Sequence, residues 1–174
     1  YFGEYVQSDV EGKEKDPIRW RVLSVENNEA LLVSDKILDY MLYNETRTRD
    51  IMTWERSTIR SWLNGYGSTS NVSGESYETS NFMDTAFSES EQEAIITSYV
   101  PNAEDSGITG TQDKVFLLSK DELEKEEYGL TVDAPIESYG SIYFSPTEYS
   151  YDEDGAYYGV WLRGPSDDVE DDLM

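Results

Sequence analysis

IRWRVLSVENNEALLVS, residues 18–34, is the stretch that decides the fold. Ile18, Trp20 and Val22 alternate with Arg19, Arg21 and Leu23, and Leu31, Leu32 and Val33 make a second apolar run. Between the runs stands Glu26-Asn27-Asn28-Glu29, and asparagine tolerates the left-handed backbone that a tight turn between strands demands. The spacing therefore predicts a β-hairpin on which the rest of the chain packs. Its first strand presents one apolar face, whereas the second is apolar on both sides and is expected in the middle of a sheet.

Upstream, YFGEY (residues 1–5) reads as a short opening strand, and a charged stretch ending at Pro17 leads into the hairpin. Downstream, residues 35–43 crowd apolar side chains without a clean period and read as a segment covering the sheet. TWERSTIRSWLN (residues 53–64) predicts a helix: Ile59, Trp62 and Leu63 fall at i, i+3 and i+4, Thr53 or Ser57 can cap its start, and Gly65 stands where a left-handed C-terminal residue is wanted. Residues 65–81 are a polar surface excursion. Phe82, Ala86 and Phe87 fit a helical turn, and Ser88-Glu89-Ser90-Glu91 is a capping-box pattern opening a second one through Ala94 and Ile95. A strand is expected over residues 95–100, a polar loop over 101–112 and a buried strand over 114–118, KVFLL. Ser119-Lys120-Asp121-Glu122 is another capping box, opening a short acidic helix that Gly129 ends. A Tyr-, Ser- and Gly-rich stretch precedes GVWLR, residues 159–163, which reads as the last strand before Gly164-Pro165 and an acidic tail.

Strands and short helices without long βαβ alternation define the class as α+β, with short antiparallel sheets, two or three short helices and long loops. The 174 residues fit a single domain, 1–174. Fourteen Tyr, five Phe and four Trp supply an aromatic core that argues against disorder. The balance of 13 Lys and Arg against 37 Asp and Glu, a net charge of −24, repels phosphate backbones and anionic membrane surfaces, so no nucleic-acid partner is expected. Cys and His are both missing, which removes thiol nucleophiles, cysteine-based zinc sites and imidazole bases. No run approaches the roughly 20 apolar residues of a membrane span. Tyr1 follows no initiating Met, so the chain reads as part of something longer.

The residues YFGEY, PIRWRVL (17–23), ALLVS (30–34), Tyr43-Asn44, Trp54-Glu55, IRSWLN (59–64), Ala86-Phe87, DKVFLLS (113–119) and WLRGP (161–165) occur together and in order. In that combination the chain resembles an uncharacterised bacterial domain family, found mostly in surface or secreted proteins of gut Firmicutes, whose members commonly show a W-L-R-S-P-G motif. The resemblance implies a C-type-lectin-like fold, distantly related to the formylglycine-generating (sulfatase-modifying) enzymes, and an extracellular or cell-surface location. Two departures stand out. The motif here reads W-L-R-G-P-S, and the family's C-terminal hairpin is not found before Met174, so the chain is expected to be truncated at its C-terminus. The formylglycine-generating enzymes need cysteines, and this chain has none, so their chemistry does not carry over.

Tyrosine gives large amphipathic contact area at low entropic cost, and residues 139–158 carry it in place of the Leu and Val a core would use. Tyr149, Tyr151 and Tyr157 are accordingly expected to form a recognition surface, in a place where the lectin-like relatives carry binding loops; the competing reading is a loop glued to the domain by its own rings. Asp152 and Asp154, with the acidic run at residues 167–172, offer the hard oxygen ligands that Ca²⁺ takes, although the EF-hand spacing is missing and a solvated acidic loop is the favoured reading. Trp20, Trp54, Trp62 and Trp161 could line a sugar platform, but their apolar surroundings read as core, with Trp20 and Trp161 as partners on adjoining strands. Arg163 is expected to pair a buried carboxylate or backbone carbonyls. No catalytic residue is singled out. The reading is a non-enzymatic surface or secreted binding module recognising a glycan or protein through loops. The alternatives are a carbohydrate-active enzyme using paired carboxylates, or a structural spacer of a larger surface protein.

Overall fold

The computed structural model describes residues 1–8, 11, 14–45, 53–101, 110–130, 145–150 and 161–163. Among them the strands are β1 (Glu4–Tyr5), β2 (Asp16–Pro17), β3 (Trp20–Glu26), β4 (Glu29–Ser34), β5 (Lys36–Ile37), β6 (Ser98–Val100), β7 (Thr111–Asp113) and β8 (Ser145–Pro146). The helices are α1 (Thr58–Asn64), α2 (Phe82–Ala86), α3 (Glu89–Ala94) and α4 (Lys120–Glu124). The strands pair two by two, β1–β2, β3–β4 and β6–β7 antiparallel and β5–β8 parallel, so the α+β class with short, mainly antiparallel sheets holds. The contacts divide into two compact units: one takes in the described residues of 1–41, 85–92 and 121–160, the other those of 42–84, 93–120 and 161–174.

The first unit holds the hairpin. Asn27 and Asn28 adopt φ of 50° and 66°, and Glu26 stands opposite Glu29, which is the left-handed two-residue turn the sequence calls for. The alternation of β3 does not run through, however. Val22 pairs with Leu32 and Ser24 with Leu31, leaving Leu23 as an extra residue in a β-bulge. A bulge moves every later side chain to the other face, because the side-chain period of a strand is two. Val25, 67% exposed, therefore joins Val22, 59% exposed, on one open face, while Ile18 and Leu23 are buried. The expected central position of β4 is also corrected: its one strand partner among the described residues is β3, and Leu32 lies open on it.

At the start of the chain, Phe2 N donates to Ile18 O and Ile18 N to Gly3 O, at 3.1 and 2.9 Å. Gly3 has φ of 72°, and a Cβ there would stand 2.6 Å from the Phe87 ring and 2.7 Å from Ala86 O, so only glycine fits. Phe87 also receives the rings of Phe2 and Trp20, at centroid separations of 5.3 and 6.3 Å. Trp20, half-buried, donates through Nε1 to Phe2 O at 2.7 Å. The capping box opening α3 forms as expected: Glu91 Oε2 accepts from Ser88 N and Ser88 Oγ at 2.8 and 2.6 Å. The other oxygen of Glu91 accepts from Gly3 N at 2.9 Å, which ties the opening segment to α3; the bonds from Ser88, with this one added, hold the Glu91 carboxyl below its ordinary range.

In the second unit the single helix expected over 53–64 divides in two. Ser57 is extended (φ −71°, ψ 146°), so Trp54–Arg56 forms a 3₁₀ turn and α1 begins after it. Ser57 Oγ caps α1 by accepting from Arg60 N at 3.2 Å, and Gly65 ends it in the left-handed conformation at φ 70°. Ile59 and Leu63 are buried, and the half-buried Trp62 ring lies 5.7 Å from that of Phe82.

One expected strand is absent, and the described residues of another lie outside any strand. Residues 114–118 are half-buried coil, and β7 lies immediately before them. Side chains take up their backbone groups instead: Asn64 Oδ1 accepts from Lys114 N and Val115 N, each at 3.0 Å, and Asn64 Nδ2 donates to Val115 O at 2.8 Å. Trp161 to Arg163 are likewise not in a strand, although Arg163 N donates to Leu118 O at 2.9 Å. The expectation that Trp161 is a core residue is overturned, since its side chain is 45% exposed, and Trp54, 1% exposed, is the buried tryptophan of this unit.

Candidate functional site

Of the residues the sequence singles out for recognition, Tyr149 is described, and it is braced. It sits in the 3₁₀ turn Glu148–Ser150, donates through its backbone N to Gln7 O at 3.4 Å, and meets the Tyr5 ring edge-on at 6.2 Å. Thr147 and Ser150 pin the same turn, Thr147 N donating to Ile37 O at 3.0 Å and Ser150 Oγ to Thr147 O at 2.9 Å. Behind Tyr149, Tyr5 donates its hydroxyl to Asp39 Oδ2, and Tyr40 N donates to Asp39 Oδ1 at 2.7 Å. Burial pushes both the Tyr5 phenol and the Asp39 carboxyl above their ordinary values. Tyr151, Tyr157, Asp152, Asp154 and the acidic run at 167–172 lie outside the described residues. Among the described residues no three metal-ligating side chains gather.

The second unit carries an aromatic surface that the sequence placed in the core. Its foundation is Arg163, 3% exposed, which donates through Nε to Pro101 O at 3.1 Å and through Nη1 to Leu117 O at 2.7 Å. The guanidinium also lies 5.6 Å from the Phe116 ring centroid. Backbone carbonyls are thus its partners, one of the two environments expected for it. The Arg163 carbonyl in turn accepts from Tyr43 Oη at 3.4 Å. Tyr43 is 5% exposed, and burial pushes its phenol up to about 12. On that buried ring rests Trp161, at 5.7 Å and tilted by 58°, with nearly half its surface open; Leu42, beside Tyr43 in the chain, is 50% exposed. An indole resting on a buried ring with nearly half its surface exposed presents a rigid aromatic contact, which suits stacking on the C–H face of a sugar or on an apolar side chain.

A second polar centre, which the sequence reading missed, lies in the same unit. Asp113 is fully buried and accepts from Trp54 Nε1 at 2.9 Å, Arg60 Nε at 2.9 and 3.0 Å, Tyr66 Oη at 2.9 Å and Thr111 Oγ1 at 2.5 Å. Arg60 also donates to Glu55 O at 2.9 Å and sits over the Tyr66 ring at 4.8 Å. Burial, with Asp113 beside it, pushes the Tyr66 phenol up to about 12. Every oxygen of this carboxylate is engaged with the protein's own donors, so it organises the fold around α1 and β7 and has no lone pair aimed outward. No spacing rule brings Asp113 to Arg60 across 53 positions, and the only hint in the sequence is an aspartate at the edge of an apolar run.

The sequon at Asn71-Val72-Ser73 is also decided by geometry. Asn71 is buried, its Oδ1 accepts from Gly74 N at 3.0 Å and Ser73 Oγ at 2.6 Å, and its Nδ2 donates to Glu75 O at 2.9 Å. Its amide is a turn-former and is not presented for modification. Compared with known proteins, residues 27–173 match the model of a family described as Domain of unknown function (DUF6273). No curated protein and no solved structure matches the chain.

Proposed function

We propose, on the premise that the chain belongs to the DUF6273 family, that it is a non-enzymatic binding module whose contact face is centred on Trp161. The observation that carries this reading is the pairing of opposite environments in one ring stack: Tyr43 is 5% exposed and Trp161 45%. A tryptophan held open on a buried, hydrogen-bonded support loses little entropy when it binds, which is the economy that recognition surfaces use. The ligand class is a glycan or an exposed polypeptide at a cell surface. Its setting in a secreted or surface protein with a C-type-lectin-like core, akin to formylglycine-generating enzymes, is supported by the resemblance of WLRGP and the accompanying motifs. Tyr149, Tyr151 and Tyr157 are proposed as recognition residues of the first unit in their own right, with Tyr149 braced by Tyr5. Among the described residues no helix is long and apolar enough to cross a membrane.

The experiment is a glycan-array and pull-down screen of the wild type, Trp161→Ala and the Tyr149→Ala/Tyr151→Ala/Tyr157→Ala variant, with fold checked by circular dichroism. Loss of a retained ligand on Trp161→Ala with the fold intact is the expected result. Equal retention by both variants overturns the reading, and turnover of a glycan abolished by one Asp or Glu substitution would replace it with an enzyme.

A further inference from the structure

Asn64 and Gly65 form the one Asn-Gly step in the sequence. Such a step carries its own chemistry. The glycine nitrogen, with no side chain crowding it, attacks the asparagine Cγ and closes a cyclic imide; ammonia leaves with the proton that the nitrogen gave up, and water opens the imide to aspartate or isoaspartate. Here both reacting groups are tied down. Asn64 closes α1; its Oδ1 accepts from Lys114 N and Val115 N, each at 3.0 Å, and its Nδ2 donates to Val115 O at 2.8 Å and to Arg60 O at 3.1 Å. Gly65 N donates to Ser61 O, and the Asn81 side chain lies so close that a Cβ on Gly65 would stand 2.9 Å from Asn81 Nδ2. Imide closure brings Cγ over Gly65 N by rotation about the Asn64 Cα–C bond, which helical backbone does not allow. The last turn of α1 must therefore unwind first, and unwinding takes the carboxamide off residues 114 and 115.

We propose that Asn64 is a deamidation site gated by the last turn of α1, and that its reaction releases residues 114–118 permanently. Opening of the turn alone is reversible, and the loss of ammonia makes it one-way. A carboxylate has no N–H: aspartate sets an oxygen against Val115 O and Arg60 O, where Nδ2 now donates, and isoaspartate adds a carbon to the main chain at the helix end. The released segment is the one on which Arg163 rests. Leu117 O accepts from Arg163 Nη1 at 2.7 Å, Leu118 O accepts from Arg163 N at 2.9 Å, and the Phe116 ring lies 5.6 Å from the guanidinium. Loosening it therefore reaches Trp161, close by in the chain and stacked on Tyr43. The modification stands whether or not that ring binds a ligand.

The test ages the full chain at mildly alkaline pH in three states: folded, in urea below the unfolding transition, and unfolded in urea. Peptide mass spectrometry follows residue 64 as asparagine, aspartate or isoaspartate. The reaction should be slowest in the folded chain, faster as urea opens α1 and fastest in the unfolded chain, with at least about tenfold between the extremes. The deamidated fraction, separable by anion exchange through its added charge, should show faster amide exchange at Val115 and shifted Leu117, Arg163 and Trp161 resonances, with the β3–β4 hairpin unchanged. Asn64→Asp should reproduce the shifts of the aspartate product; if that variant does not fold, the aged wild type carries the comparison. The proposal is overturned if residue 64 reacts as fast in the folded chain as in the unfolded one. It is equally overturned if the residue stays unreacted below the transition while the unfolded chain reacts, or if the aged fraction keeps wild-type exchange at Val115 and wild-type shifts at Arg163.

Discussion

Trp54 Nε1 and Asp113 Oδ2 meet at 2.9 Å with both side chains shut off from water, and Arg60 closes the same carboxylate from a second side. A buried charge is tolerable only while its partners are present, and removing one leaves the other uncompensated. Asp113→Ala and Arg60→Ala should therefore each destabilise the protein by about 3 to 5 kcal/mol in urea unfolding, far more than breaking the exposed Arg19–Asp35 pair. The double variant should lose much less than the sum of the two, because the second deletion removes the charge that the first orphaned. Additive losses would show that the two side chains act independently.

Asp39 gives the chain a pH dependence of unusual sign. Its carboxyl is pushed above the ordinary value of 3.8 by burial, against the opposing hydrogen bonds from Tyr5 and Tyr40. The folded state thus holds the proton more tightly than the unfolded one. Its contribution is fully present below 3.8 and is lost as pH rises through the folded value. Asp35 and Glu91, whose carboxyls are held low by Arg21 and by Ser88, work in the opposite direction. Asp39→Asn removes only the first effect, so the stability of the wild type relative to this variant should decline as pH is raised from about 4 to 7. A difference that grows over the same range would mean that the folded protein favours the Asp39 carboxylate.

Trp54 and Trp161 should separate cleanly on truncation. Trp54→Ala empties a site that is 1% exposed and also removes one of the donors to Asp113 Oδ2, so a loss of about 3 to 5 kcal/mol is expected by chemical unfolding. Trp161→Ala removes a ring already 45% in water and should cost less than about 2 kcal/mol. Equal losses would return Trp161 to the core.

What could be read from the sequence was local. The Asn27-Asn28 turn, the Ser57 cap, the Gly65 terminus and the Ser88–Glu91 box each depend on residues within four positions of one another, and each is found. What failed was long-range or hid behind hydrophobicity. KVFLL reads as a buried strand, yet its first two amides are taken by Asn64, some fifty positions away. Val22, Leu23 and Val25 are all apolar, so nothing in the pattern announces the bulge that brings Val22 and Val25 to one exposed face. The apolar neighbours of Trp161 read as core, and the ring that supports it, Tyr43, is distant in the chain.

The hairpin turn offers the last prediction. Asn27 and Asn28 both carry positive φ, at 50° and 66°, a region that asparagine enters at a modest cost and glycine at none. The two-residue turn they form favours glycine at its second position. Against that relief stands the wider freedom glycine gives the unfolded chain, which offsets part of the gain. Asn28→Gly should therefore raise the stability slightly, by no more than about 1 kcal/mol, and leave the Glu26–Glu29 register unchanged. Asn28→Val places a β-branched side chain in the same conformation and should cost about 1 to 3 kcal/mol. Thermal melts and amide exchange across Val25 and Ala30, the next paired residues, report the two effects. If the valine variant melts with the wild type, residue 28 does not hold the left-handed backbone on which the turn depends.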